Sequence, residues 1–159
     1  MKILVVSPEY FPEDALLQLK DIASVDSKKI SREELLNEIE NYDAVLTRVD
    51  VKFDKEVLER AKNLKVIGSG TTGVDHIDVG YANSKGIEII NLSGAHTTPT
   101  AEHTFTLILT LARKIPWAFE SLKKGEWDRS RFFGMGLEGK MLGTIGFGKI
   151  GSRGARYAK

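Results

Sequence analysis

Residues 141–151 read MLGTIGFGKIG. An apolar run enters a turn with Gly146, Gly148 and Gly151 spaced as G-x-G-x-x-G, and GSRGARYAK closes the chain at Lys159. The pattern predicts a strand over 141–147, a tight turn and the start of a helix. In such a unit the first glycine permits the turn, the second lets the backbone approach a pyrophosphate, and the third lets helix and strand pack closely. N–H groups at the helix start, around Lys149 and Ile150, would hold the phosphates. Gly146, Gly148, Lys149, Ile150 and Gly151 are therefore the candidate cofactor-binding residues. A plain glycine turn has the same spelling; the flanking strand and helix favour the dinucleotide. The acidic residue that would grip the ribose belongs about 20 residues further on, past Lys159.

Upstream, strand and helix patterns alternate. Residues 3–6 form a short apolar run, as a buried parallel strand would, and a weaker second strand is predicted over 22–25. SREELLNEI (31–39) reads as a helix with a Ser31/Glu34 capping box and an inward stripe of Leu35, Leu36 and Ile39. Further strands are predicted at 44–46, 64–67 and 87–90. Helices are predicted after Asp54 and over 78–84, with Gly86 as the C-terminal stop. This rhythm with short connections argues for an α/β doubly wound parallel sheet. After Asn91 the pattern changes. Pro99 is placed to open a helix whose residues 100–112 are apolar on most faces, so burial in a large core or against a partner is expected. Pro116 should kink or interrupt it, with resumption over 117–124. A domain boundary is predicted near residues 94–99.

Composition excludes several classes. The hydrophobic fraction is 42%, the charged fraction 28% and the net charge +1, so no global charge draws the chain to nucleic acid or an anionic membrane. The chain has no cysteine, which excludes disulfides and thiolate metal sites and suits a reducing cytoplasm. The apolar run at the start is too short for a signal peptide core, and no window approaches the roughly 18 apolar residues of a membrane span.

Gly70-Thr71-Thr72-Gly73-Val74-Asp75 lies between a predicted strand and helix, at the strand's carboxyl end. Its glycines could turn backbone N–H groups toward an anion, or serve only the backbone angles of a βα loop. Arg48 follows an apolar strand and could fork onto a carboxylate or phosphate, or simply be solvated. His76 reads as a surface turn residue, His103 as a hydrogen-bonded structural one, and His96, in the hinge loop, as the ligand-binding candidate. No histidine pair has metal-ligand spacing.

LKVIGSGTTGVDHIDV, KGIEIINLSGAHTTPTAEHTFTLILTLAR, KKGEWDR and LEGKMLGTIGFGKIG, in this order, resemble the D-isomer-specific 2-hydroxyacid dehydrogenases, a family that includes phosphoglycerate dehydrogenases and glyoxylate/hydroxypyruvate reductases. The resemblance implies two flavodoxin/Rossmann-like domains with a cleft between them: a substrate domain over 1–97, and the start of an NAD-binding domain over 98–159 whose long helix from Thr100 builds a homodimer. It implies that backbone amides of Thr72, Gly73 and Val74 hold a substrate carboxylate, that Arg48 stands near the substrate's polar group, and that Thr100 lies beside the nicotinamide of NAD or NADP. His96 stands where some members carry a substrate-touching asparagine. Thr71-Thr72 replaces a more usual small or apolar pair, a difference that bears on substrate choice. The implied activity is oxidation of the CH–OH group of a D-2-hydroxy acid in the cytoplasm. The family's catalytic arginine, acidic residue and histidine match no position in these 159 residues. The strand over 141–147 also lacks neighbours here, so the chain is expected to be a truncated piece, inactive alone. The alternative is a non-catalytic anion-binding or dimerisation module derived from such an enzyme.

Overall fold

Consecutive apolar residues in a strand are buried only when both faces of the sheet are covered. Ile3, Leu4, Val5 and Val6 are all at most 5% exposed. They lie in β1 (Lys2–Val6) of a computed structural model that describes residues 1–159. β1 pairs in parallel with β2 (Ser24–Lys28) and β3 (Ala44–Thr47), and β4 (Val66–Ser69) and β5 (Glu88–Asn91) extend the sheet. The order is β2-β1-β3-β4-β5, all parallel. Register aligns Leu4, Val45, Ile67 and Ile89 on one face and Ile3, Ala44, Val66 and Glu88 on the other.

The two faces are covered unequally. On the first, α2 (Arg32–Glu38), α3 (Lys55–Arg60) and α4 (Val79–Ser84) bring Leu35, Val57, Leu58 and Ala82 into one core with Leu4, Val45 and Ile67. On the second, α1 (Glu13–Ile22) alone packs Leu16 and Leu19 against Ile3, Val5 and Ala44. Toward the β5 edge this face is open, and Ile90 is 54% exposed.

Local chemistry starts each helix as its residues imply. Ser31 Oγ accepts from the Glu34 N–H, and the Glu34 carboxylate accepts from the Ser31 N–H at 2.8 Å. Asp54 accepts from the Val57 N–H and Asp78 from the Tyr81 N–H. Gly86, at φ 74°, ends α4. The second strand departs from expectation. Ile22 completes α1, a helix the residue pattern did not reveal, and the strand runs over 24–28. That polar edge strand is held by side chains: the Tyr42 hydroxyl donates to Asp26 at 2.8 Å, and Lys2 pairs with the same carboxylate at 2.9 Å. β4 begins at Val66 rather than at 64, and β5 at Glu88 rather than at 87.

The chain divides into two compact units, Met1–Ser93 and Gly94–Lys159. The second contains α5 (Thr97–Ala112), α6 (Ile115–Lys123) and α7 (Lys149–Tyr157). Pro99 is the third residue of α5, not its first. The break comes at Lys114, φ 54°, with Pro116 in the first turn of α6, where its missing N–H costs no helical bond. Of α5 only Ala101 is buried; Leu107, Leu109 and Leu111 are exposed, so the apolar helix is not covered within its own unit. Nor does a strand form over 141–147. All five strands belong to the first unit, so this segment has no ladder for its backbone groups, and Met141, Ile145 and Phe147 are exposed. No helix is long and apolar enough to cross a membrane.

Candidate functional site

In a sheet ordered 2-1-3-4-5 the connections leave β1 and β3 in opposite directions, opening a crevice outside the carboxyl ends of those strands. The residues at that switch point come from three loops of the first unit. After β1, Ser7 is 3% exposed with φ 56° and turns the chain into a short 3-10 turn, Pro8–Tyr10. After β3 comes Arg48, whose guanidinium carbon stands 4.8 Å from the Tyr10 ring centroid. Its Nε is buried and has no hydrogen-bond partner. After β4 comes Gly70. A Cβ there would meet Phe11 Cε1 at 2.8 Å and Arg48 Cγ at 3.3 Å, so the bare backbone lets the three loops close together.

The Gly70–Asp75 loop has a consistent polarity. The Thr71 carbonyl accepts from Leu92 N–H at 3.1 Å and the Thr72 carbonyl from Asn91 Nδ2 at 2.7 Å. The Gly73 carbonyl accepts from Thr71 Oγ1 at 2.8 Å, and the Val74 carbonyl from Ile77 N–H at 2.9 Å. Four successive acceptors are thus consumed inside the unit, while the N–H groups of Thr72, Gly73 and Val74 donate to no protein group. Thr72 and Gly73 are exposed. A loop that spends its carbonyls inward and leaves its amides outward presents partial positive charge to solvent.

His76 is not the surface turn residue its neighbours suggested. It is 8% exposed, with Nε2 3.5 Å from Ser69 Oγ, which in turn shares a 2.8 Å hydrogen bond with Thr71 Oγ1. Burial holds its pKa below the usual histidine value, against the pull of Asp75 and Asp50, and the imidazole is neutral at pH 7. Its place is under the loop, bracing it.

In the second unit, Gly146 has φ 86°, and a Cβ on Gly151 would collide with the Gly146 carbonyl oxygen. Gly148 is the N-cap of α7. The first intrahelical bond runs from Ser152 N–H to the Gly148 carbonyl at 2.9 Å, so the preceding amides, Ile150 among them, lie ahead of the helical ladder, as at any helix start. The glycine turn thus leads into a helix N-terminus, the kind of backbone that phosphates favour in general, though the preceding segment is not a strand. Lys149, Arg153 and Arg156 line one hollow with Thr97 and Thr98, which makes this surface basic. His96 is the exposed N-cap of α5 and makes no capping bond; Thr100 is exposed on that helix's first turns. His103 is exposed too, and no side-chain hydrogen bond gives it the structural role expected.

Residues 3–154 match the sequence profile of the family described as D-isomer specific 2-hydroxyacid dehydrogenase, catalytic domain. The chain belongs to that family. The D-3-phosphoglycerate dehydrogenase of Archaeoglobus fulgidus is 44% identical to this chain over 161 residues, covering 100% of the chain and 30% of the relative. Two solved structures superpose closely. The TT0316 protein of Thermus thermophilus has a TM-score of 0.89 at 32% identity, covering 99% of this chain and 52% of that one. D-lactate dehydrogenase from Aquifex aeolicus, complexed with NAD and lactic acid, has a TM-score of 0.86 at 29% identity, with 99% and 48% covered. The five-stranded parallel α/β sheet is therefore that of the D-2-hydroxyacid dehydrogenases, and the chain spans 30% of the length of the archaeal relative it matches.

Sequence reasoning passed over Tyr10, Phe11 and Ser69, which help to build the crevice. Only a Ser-Pro pair directly after a buried strand hinted that the chain turns back across the sheet edge there.

Proposed function

We propose that this chain carries the substrate-carboxylate loop and the dinucleotide turn of an oxidoreductase acting on the CH–OH group of a D-2-hydroxy acid. The observation that carries the reading is the polarity of the Gly70–Asp75 loop, with four carbonyls satisfied inside and the amides of Thr72, Gly73 and Val74 left free. A carboxylate bridging those amides accepts charge-assisted hydrogen bonds, and Arg48 lies at the neighbouring loop to meet a second polar group. The first unit is thus the substrate domain and the second the start of the NAD-binding domain. In the second, Gly146, Gly148 and Gly151 shape the turn, Lys149 and Ile150 stand at the phosphates, and Thr100 flanks the nicotinamide. That ring, when bound, takes or gives the hydride. NAD is the proposed nucleotide, as in the lactate dehydrogenase complex. His96 departs from the family pattern, standing where some members carry a substrate-touching asparagine, and is proposed to line the substrate from that position. None of the three histidines is assigned the acid–base role: His76 is buried beneath the loop, and His96 and His103 have no partner that would orient them. The exposed apolar surface of α5 and α6, with Leu107, Leu111, Trp117 and Phe119, supports a second copy of the chain as partner.

Titration of labelled protein with D-glycerate, D-lactate and NAD tests this reading. The amide resonances of residues 72–74 are expected to move with the acids and those of 149–151 with NAD. Acid-induced shifts that bypass residues 72–74 would refute it.

A further inference from the structure

The Tyr10–Arg48 pair spans the two strands at which the sheet changes direction, one residue reaching in from the loop after β1 and the other from the loop after β3. Ligands of open α/β sheets settle at that point. Arg48 carries an orphaned donor there: its Nε is shielded from water and bonded to nothing. A buried donor without a partner is costly, and native chains keep few of them without a use. A free arginine side chain, however, samples many rotamers, and ordering it at the moment of binding weakens the complex.

Tyr10 supplies the missing order. Its ring lies under the guanidinium at 4.8 Å, within the range where a cation is drawn to an aromatic face. The ring is held by its neighbours. The left-handed Ser7 starts the turn, the Phe11 N–H closes it on the Pro8 carbonyl at 3.0 Å, and Phe11 sits against the bare backbone of Gly70. Tyr10 itself is 53% exposed and its hydroxyl makes no hydrogen bond in the chain, so it contributes little to the core. Its ring face carries the Arg48 guanidinium.

We infer that Tyr10 is a positioning residue: it fixes the Arg48 side chain, Nε inward, so that the outer guanidinium N–H groups face a second acidic or polar group of the bound 2-hydroxy acid. The inference rests on the reading of this edge as the substrate site. It goes further in assigning the loop after β1 a part in choosing among acids, favouring those with a polar group beyond the carboxylate.

The test uses the 159-residue chain, D-glycerate as probe, and two readouts. One is the affinity for D-glycerate. The other is the order of the Arg48 Nε–Hε pair, read from its heteronuclear NOE without ligand. Tyr10→Leu is expected to loosen Nε–Hε and weaken D-glycerate binding about threefold or more, the lower part of the range for a cation over a ring. Tyr10→Phe, which keeps the ring, is expected to restore both, with all three proteins melting alike. An Nε–Hε pair as ordered in Tyr10→Leu as in the wild type overturns the inference. It also fails if Tyr10→Leu and Tyr10→Phe lose binding equally, because the ring face would then not be what matters. Arg48→Met separates the two layers. If it leaves D-glycerate affinity unchanged, the reading of Arg48 as a substrate contact is refuted, while the ligand-free NOE still decides whether Tyr10 orders the side chain.

Discussion

A methyl group on Gly151 would run into the Gly146 carbonyl oxygen, a contact with backbone that no side-chain rotation relieves. Gly151→Ala must push α7 away from the turn, at about 1–3 kcal/mol for a forced misfit. The expected result is loss of NAD-induced shifts at 149–151 with the first unit's spectrum unchanged. His76 offers a second residue-level test, through pH. Burial lowers its pKa in the folded chain, while in the unfolded chain it titrates near 6.5. Below about pH 6.5 the unfolded chain therefore takes up a proton that the folded chain refuses, and stability falls with pH. Urea midpoints of the wild type should drop between about pH 7 and 5.5, and His76→Gln should flatten that slope. Asp26 and Asp43, whose pKa values are lowered by hydrogen bonds from Lys2 (with help from Tyr42 and from Lys65 respectively), lose their contribution only at more acidic pH, below the ordinary carboxylate value of about 3.9. The two regions of loss are separable. Of the candidate site residues, Gly70–Val74 and Arg48 were legible because glycine and arginine carry their chemistry wherever the chain puts them. Tyr10 was not. An aromatic after a strand can face anywhere, and its meeting with Arg48 depends on β3 lying beside β1.

Helix starts were the most legible elements, because a capping box is closed within four residues. Ser31→Ala removes the Glu34 N–H acceptor and should cost about 1 kcal/mol, measured as a lower urea midpoint with unchanged slope. Ser31→Asp should recover most of it. Elements that depend on distant partners were harder to read. In α1, Leu16 and Leu19 pack inward while Leu17 and Ile22 are 55% and 69% exposed. Its apolar residues thus fall on both sides and give no clean stripe. The apolar run at 141–147 fails for the opposite reason. Its periodicity describes a strand that could be buried, but the hydrogen-bond ladder must come from another segment, and the second unit contains no strand. Pro116 was read correctly as an interruption because its effect is local.

Across the whole chain, apolar surface is unevenly spent. Every buried apolar residue except Ala101 lies in the first unit, whereas the second leaves Leu107, Leu111, Ile115, Trp117 and Phe119 open. If a second copy covers α5 and α6, sedimentation should find a dimer, and Leu107→Lys with Leu111→Lys should yield monomer without disturbing D-glycerate binding. A monomeric wild type would overturn that part of the proposal. Within the first unit, the unequal dressing of the sheet sets an order in time. Proton exchange from a backbone amide requires that its hydrogen bond open. β1 and β3 are interior strands with apolar layers on both sides, while β5 is an edge strand whose outward Ile90 has no helix above it. Deuterium should therefore enter residues 88–91 first. It should enter 24–28 later, where Val25 is shielded by the α1 cluster, and 3–6 and 44–47 last. The bare half-face would appear as a gradient of exchange running from β5 inward.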